Sequence, residues 1–185
     1  AYGLDSIESV RRLLGFMKEA GYQVDFIPED TEAFMKRLTA QATNDRSMLT
    51  EEQEEACQKV PKKLYCDLFD TYPEETRRQM EKDWGKAPGR VMTTESGDIL
   101  VPGLMDGHIF LTVQAPRGYG FDASKIYHDP FIAPTHQYLA YYQWIRDVWL
   151  SEKQEVFTEN ENLVLRSSRI SGGYSFWFKD ITEIN

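Results

Sequence analysis

All three histidines of this chain fall between positions 108 and 136, and they are its residues with the widest chemical reach. His128 and Asp129 sit together in Tyr127-His128-Asp129-Pro130, and His136 follows in Pro134-Thr135-His136. A neutral imidazole can accept a proton or ligate a metal ion, and a carboxylate such as Asp129 or Asp122 can orient it. His136 is expected in the first turn of a helix, where the positive helix end disfavours a charged ring. The spacing from His128 to His136 matches no recognised ligand motif, so each also has a plain structural reading. His108 lies on an apolar stretch and reads first as a hydrogen-bonded core residue. Arg117, on a loop with Gln114 close by, can grip a carboxylate through two parallel hydrogen bonds or pair with an acidic neighbour. Tyr119, Phe121, Tyr127, Phe131 and Tyr138 could stack on a planar ligand or simply pack as core.

Several chemistries are excluded. Gly118-Tyr119-Gly120-Phe121-Asp122-Ala123 formally fits a dinucleotide fingerprint, but Pro130 follows too soon for the helix that motif must open. No phosphate-binding Gly-rich loop ending in Lys-Ser/Thr is present, so the residues do not support ATP binding by this chain. No Gly-x-Ser-x-Gly elbow occurs, and no carboxylate pair points to glycoside chemistry. Cys57 and Cys66 form no Cys-x-x-Cys pair and read as free thiols, in keeping with a cytoplasmic setting. A net charge of −9 argues against nucleic acid and anionic membranes as partners. No apolar run reaches membrane-spanning length.

The elements that must position these residues are legible from periodicity and caps. Asp5 can cap a helix over 5–20, with Glu8 at the reciprocal capping position, Ile7, Val10, Leu13, Leu14 and Met17 on one face, and Gly21 as the stop. A second helix starts near Thr31. Thr50 with Gln53 opens an acidic helical segment to Lys59, which Pro61 breaks. Lys62 to Tyr72 and Pro73 to Trp84 read as two more helices, the last stopped by Gly85. After Gly89 the pattern changes. Residues 98–101 and 108–114 read as strands joined through a turn at Asp106-Gly107. The loop 115–133 is long enough to be functional. A helix over 134–149 follows, with Tyr138, Tyr141, Tyr142 and Ile145 on its apolar face. The tail carries possible strands at 163–166 and 174–178.

Read in order, several segments resemble a known family. Gly3-Leu4-Asp5-Ser6, Gly21-Tyr22-Gln23-Val24, Trp84-Gly85-Lys86-Ala87-Pro88-Gly89 and Ile99-Leu100-Val101-Pro102-Gly103 come first. Then come Gly107-His108-Ile109-Phe110, Val113-Gln114-Ala115-Pro116-Arg117-Gly118, Tyr127-His128-Asp129-Pro130 and Pro134-Thr135-His136-Gln137-Tyr138. This series is similar to the large subunit of the cobaltochelatase/magnesium-chelatase family over residues 3–149. The resemblance implies insertion of a divalent metal, cobalt or magnesium, into a corrin or porphyrin ring. It implies a tetrapyrrole held by the large subunit and ATP hydrolysed only by separate AAA+ partners. A haem-handling relative without catalysis is the alternative it leaves open. His108 replaces the family's Asn and Ala115 its Pro. The family's later Gly-Lys-His-Gly-Thr-Leu-Glu-Trp-like motif is missing, so a full insertion cycle is not expected from these residues alone.

The expected architecture is α/β or α+β: a helical first half, a small sheet around 98–114, and a long helix 134–149 packed on it. Residues 1–149 form the chelatase-like unit and 150–185 an unmatched tail, either unrelated sequence or the end of a truncated protein. The catalytic candidates are His128, His136 and Asp129. Gln114, Arg117, Tyr127 and Tyr138 are the substrate-binding candidates, and His128 and His136 the metal ligands. The expected partners are the tetrapyrrole, the AAA+ subunits and the rest of the large subunit.

Overall fold

The computed structural model describes residues 5–40, 43–107, 109–119, 126, 129, 131–149 and 174–176. Helices α1 (Ser6–Glu19), α2 (Thr31–Thr39), α3 (Glu51–Ala56), α4 (Lys62–Phe69) and α5 (Glu74–Trp84) fill most of the first half. Their ends follow from local chemistry. The Asp5 carboxylate accepts from the Glu8 N–H and Asp30 from the Ala33 N–H. Thr50 and Gln53 form a complete reciprocal capping box. Asp5 makes just one half of such a box, because the Glu8 carboxylate turns to Arg11 and Arg12 instead. Gly85 stops α5 at φ +85°, a left-handed conformation that side chains avoid.

Two small antiparallel sheets follow. Strand β1 (Gln58–Val60) pairs with β2 (Ile99–Val101), Val60 opposite Ile99. Strands β3 (Leu104–Asp106), β4 (Ile109–Val113) and β5 (Tyr174–Phe176) form the second sheet in the order β3-β4-β5. The turn at Asp106-Gly107 therefore joins β3 to β4, and not the 98–101 segment to it as expected. The 98–101 segment pairs instead with Gln58–Val60, of which Gln58 and Lys59 read from the sequence as the end of a helix. Of the two tail strands, 174–176 is present on the edge of β4, while 163–166 lies outside the described residues. Helix α6 (His136–Trp144) continues into a wider turn over Ile145–Trp149.

Alternation distributes the core. Ile109 and Leu111 of β4 face a cluster with Val10, Leu14 and Met17 of α1 and Phe34 and Leu38 of α2. Phe110 faces the opposite way, into a cluster with Tyr65, Phe69, Met80, Ile99, Val101, Tyr141 and Trp144. The second sheet thus stands between the α1–α2 pair and the layer built by α4, α5 and α6. Gly103 permits the close crossing of these layers: a Cβ there would sit 2.2 Å from the Phe110 ring. Helix α6 packs on β1 and β2 and is buried around most of its circumference, with His136, Gln137 and Gln143 inside beside Ala140, Tyr141 and Trp144. Among the described residues no helix is long and apolar enough to cross a membrane. Cys57 and Cys66 are free thiols, and burial raises the pKa of both.

Candidate functional site

Thr135 organises the start of α6 and the loop before it. Its hydroxyl caps the helix by accepting from the Tyr138 N–H at 3.0 Å and donates to the Pro116 carbonyl at 3.0 Å. Its own N–H donates to the Arg117 carbonyl at 3.1 Å. One capping residue therefore holds both ends of the loop 115–133 together. The Trp84 indole N–H donates to the Ala133 carbonyl at 2.8 Å and ties the loop to the end of α5.

His136 is 2 % exposed. Its Nε2 lies 2.8 Å from the Gly85 carbonyl, an acceptor, so that nitrogen carries the proton. Its Nδ1 then accepts from the Tyr65 hydroxyl at 2.7 Å. Burial lowers the imidazole pKa below its ordinary 6.5, and burial likewise raises that of Tyr65. The ring is neutral as expected, with burial the largest cause. Both ring nitrogens are engaged, and the cavity beside the ring holds about 10 Å³, room for one water. Gly89, at φ +82°, closes against it; a Cβ there would meet His136 Cδ2 at 2.8 Å.

A second buried network runs through Gln137. The Tyr119 hydroxyl donates to Gln137 Oε1, and Gln137 Nε2 donates to Asn44 Oδ1 at 2.8 Å. Asn44 Nδ2 in turn donates to the Val113 and Gln114 carbonyls at 3.1 and 3.2 Å. Tyr119, an aromatic that could have stacked on a ligand, is thus committed to the interior, as its raised pKa through burial also reflects.

The remaining candidates separate into two places. Gln114 Nε2 donates to the Tyr142 hydroxyl at 2.7 Å and reaches the Tyr138 hydroxyl at 3.5 Å, which brings Gln114 and Tyr138 together. Arg117 lies elsewhere, with Nη2 donating to the Ile132 carbonyl at 3.1 Å. Asp129 Oδ1 accepts from the Phe131 N–H at 2.9 Å and shapes the turn that presents Phe131. Tyr127, His128 and His108 lie outside the described residues, as do Phe121 and Asp122. Among the described residues no three His, Cys, Asp or Glu side chains gather into a metal-holding group.

Arg117 borders an open groove of about 590 Å³, within the range of small-molecule sites. One wall is a face of α5 carrying Thr76, Gln79 and Lys82; the other is Phe131 to Pro134. Phe131 is 84 % exposed there. Sequence reasoning named Arg117 and Phe131 but not Lys82 or Gln79. Their spacing from Thr76 on a predicted helix was the available signal, although nothing in the sequence said what that face would meet. Neither His136, Gln114 nor Tyr138 is among the described residues lining this groove.

Comparison with known proteins gives a consistent result. The family model described as CobN/Magnesium Chelatase matches residues 1–152. An uncharacterized protein of Methanocaldococcus jannaschii is 42 % identical over 153 residues, covering 82 % of this chain and 12 % of that protein. The aerobic cobaltochelatase subunit CobN of Pseudomonas aeruginosa is 30 % identical over 150 residues, covering 81 % and 12 %. A solved structure, the catalytic subunit of cobaltochelatase from Mycobacterium tuberculosis, superposes with a TM-score of 0.63 at 33 % identity, covering 78 % of this chain and 13 % of that one. The match thus spans about an eighth of the length of these relatives.

Proposed function

The chain belongs to the CobN/Magnesium Chelatase family, and from that premise we propose that it is one piece of a large subunit that holds a tetrapyrrole while a divalent metal ion is inserted. The metal, cobalt or magnesium, enters as substrate. AAA+ partner subunits supply the ATP hydrolysis, and the rest of the large subunit completes the site. Insertion exchanges two pyrrole N–H protons for bonds to the metal ion, so a neutral base near the ring is useful. His128 takes that role, and also offers a ligand to the incoming ion. Asp129 orients the turn beside it. Arg117 and Tyr127 meet the ring's periphery. His136 acts by positioning: its two hydrogen bonds lock α6 against α4 and the α5 terminus, and hold the loop's anchor in place.

The observation that carries this reading is the groove itself, a ligand-sized hollow bordered by Arg117, whose motif is among those that carry the family resemblance. Titrating the chain with deuteroporphyrin IX tests it. A saturable shift of the Soret band is expected, weakened by His128→Ala once the metal ion is added. A band unchanged at equimolar protein refutes the reading.

A further inference from the structure

The groove between α5 and residues 131–134 has the character of a site for a flat anion. The chain carries a net charge of −9, yet two cations, Lys82 and Arg117, face this hollow. The carboxylate on its wall, Glu75, is already paired with Arg78. Among the described residues neither Lys82 nor Arg117 has a carboxylate partner within ion-pair distance. Arg117 spends one N–H on the Ile132 carbonyl, and among the described residues its other guanidinium donors have no hydrogen-bond partner. Beside it Phe131 stands 84 % exposed, an unusual placement for a large apolar ring, with its backbone N–H donating to Asp129. An aromatic face next to two unpaired cations fits a ligand with a planar apolar body and an acidic edge.

The alternative hollow favours the same choice. A larger groove of about 910 Å³ lies between α3 and residues 94–96, but Glu51, Glu54, Glu55 and Glu95 line it. Its Arg46 is paired with Glu54. That surface repels a carboxylated ligand.

We infer that the α5 groove seats the carboxylate-bearing edge of a tetrapyrrole, with Phe131 against the ring face and Arg117 and Lys82 on a side-chain carboxylate. This rests on the function proposed above and assigns its ring-edge contacts. The experiment compares deuteroporphyrin IX with its dimethyl ester, in which the carboxylates are masked, on the 185-residue chain. The diacid should bind at least about tenfold more tightly than the ester, as expected for loss of a charge-assisted contact. Arg117→Gln should weaken diacid binding about 10- to 100-fold and Phe131→Ser about tenfold, with unchanged far-ultraviolet circular dichroism. Lys82→Gln should cost a few-fold and steepen with falling salt concentration. Lys59→Gln, in the acidic groove, should change nothing. If the diacid binds the wild type but the three groove variants bind it equally well, this assignment falls while the tetrapyrrole reading stands. If the wild type binds neither compound, both fall.

Discussion

Replacing Tyr65 by Phe removes a single oxygen from the centre of the molecule. Tyr65 is fully buried, and its hydroxyl is the donor for His136 Nδ1 at 2.7 Å. The ring stays, stacked near Phe69 at 5.9 Å, so little packing is lost. What changes is the imidazole. With Nε2 committed to Gly85, Nδ1 becomes a buried acceptor without a donor, which costs about 1–3 kcal/mol. For a chain of this size each kcal/mol lowers Tm by roughly 2–4 °C. Urea denaturation followed by tryptophan fluorescence measures the loss directly. The double variant Tyr65→Phe/His136→Phe should be less destabilised than the sum of the single variants by about 0.5–3 kcal/mol, since the two residues share one bond. Nitrogen-15 NMR of the imidazole should show the Nε2–H tautomer in the wild type. A Tyr65→Phe variant as stable as the wild type, or a proton found on Nδ1, would refute the claim that His136 is a structural residue with no lone pair to spare.

Four further outcomes follow from the same contacts. Because burial depresses the His136 pKa, the unfolded ring takes up a proton below 6.5 while the folded ring resists; stability should fall as pH drops through that value, by at most about 1.4 kcal/mol per pH unit, and His136→Phe should flatten the fall in urea midpoints between pH 7.5 and 5.5. Gly103→Ala forces a Cβ to within 2.2 Å of the Phe110 ring and 3.0 Å of the Leu111 carbonyl, and should destabilise by about 1–3 kcal/mol in the same assay. Leu100→Ala empties a fully buried position against Met92 and Cys57, and thermal unfolding should show a loss of about 2–5 kcal/mol. Asn44→Ala strips Gln137 Nε2 of its acceptor at 2.8 Å; a loss of about 1–3 kcal/mol is expected, with faster amide exchange around residues 43–48.

Local chemistry made the helices readable and left the sheets half hidden. Asp5, Asp30, Thr50 with Gln53, and Gly85 act on neighbours a few positions away, so their roles can be read without knowing the fold. Gln58–Val60 could not be read that way. It is a strand because Ile99–Val101 lies beside it, a pairing across some forty residues that no local pattern encodes. Helix α6 was legible only in part for a related reason. Of the face expected inside, Tyr141 and Ile145 are buried, but Tyr138 and Tyr142 are only half-buried, and Gln137, Gln143 and His136 lie deeper. Polar side chains go inside when partners wait there, and Asn44, the Leu64 carbonyl and Tyr65 are supplied by remote segments. The site was legible to the same degree. Arg117 and Phe131 stood out by residue type within a long loop. Lys82 became relevant once the fold set α5 opposite that loop.

The split between His136 and Arg117 separates what builds this region from what a ligand can reach. A guanidinium on a free loop would lose much of its advantage to the entropy of ordering itself around a carboxylate. Here the backbone on either side of it is bonded: the Pro116 and Arg117 carbonyls to Thr135, and the guanidinium to Ile132. Thr135 itself is held by α6, whose first residue is pinned between Tyr65 and Gly85. The chain of contacts runs from the buried imidazole along the backbone to Thr135, and then by hydrogen bonds to the loop anchor that carries the cation. Substituting His136 should therefore weaken ligand binding in proportion to the loss of fold stability, and binding should return on cooling well below Tm. Substituting Arg117 should weaken binding at every temperature and leave Tm nearly unchanged. Measuring both variants across temperature separates scaffold from contact, and identical temperature profiles would show that the two residues act as one site after all.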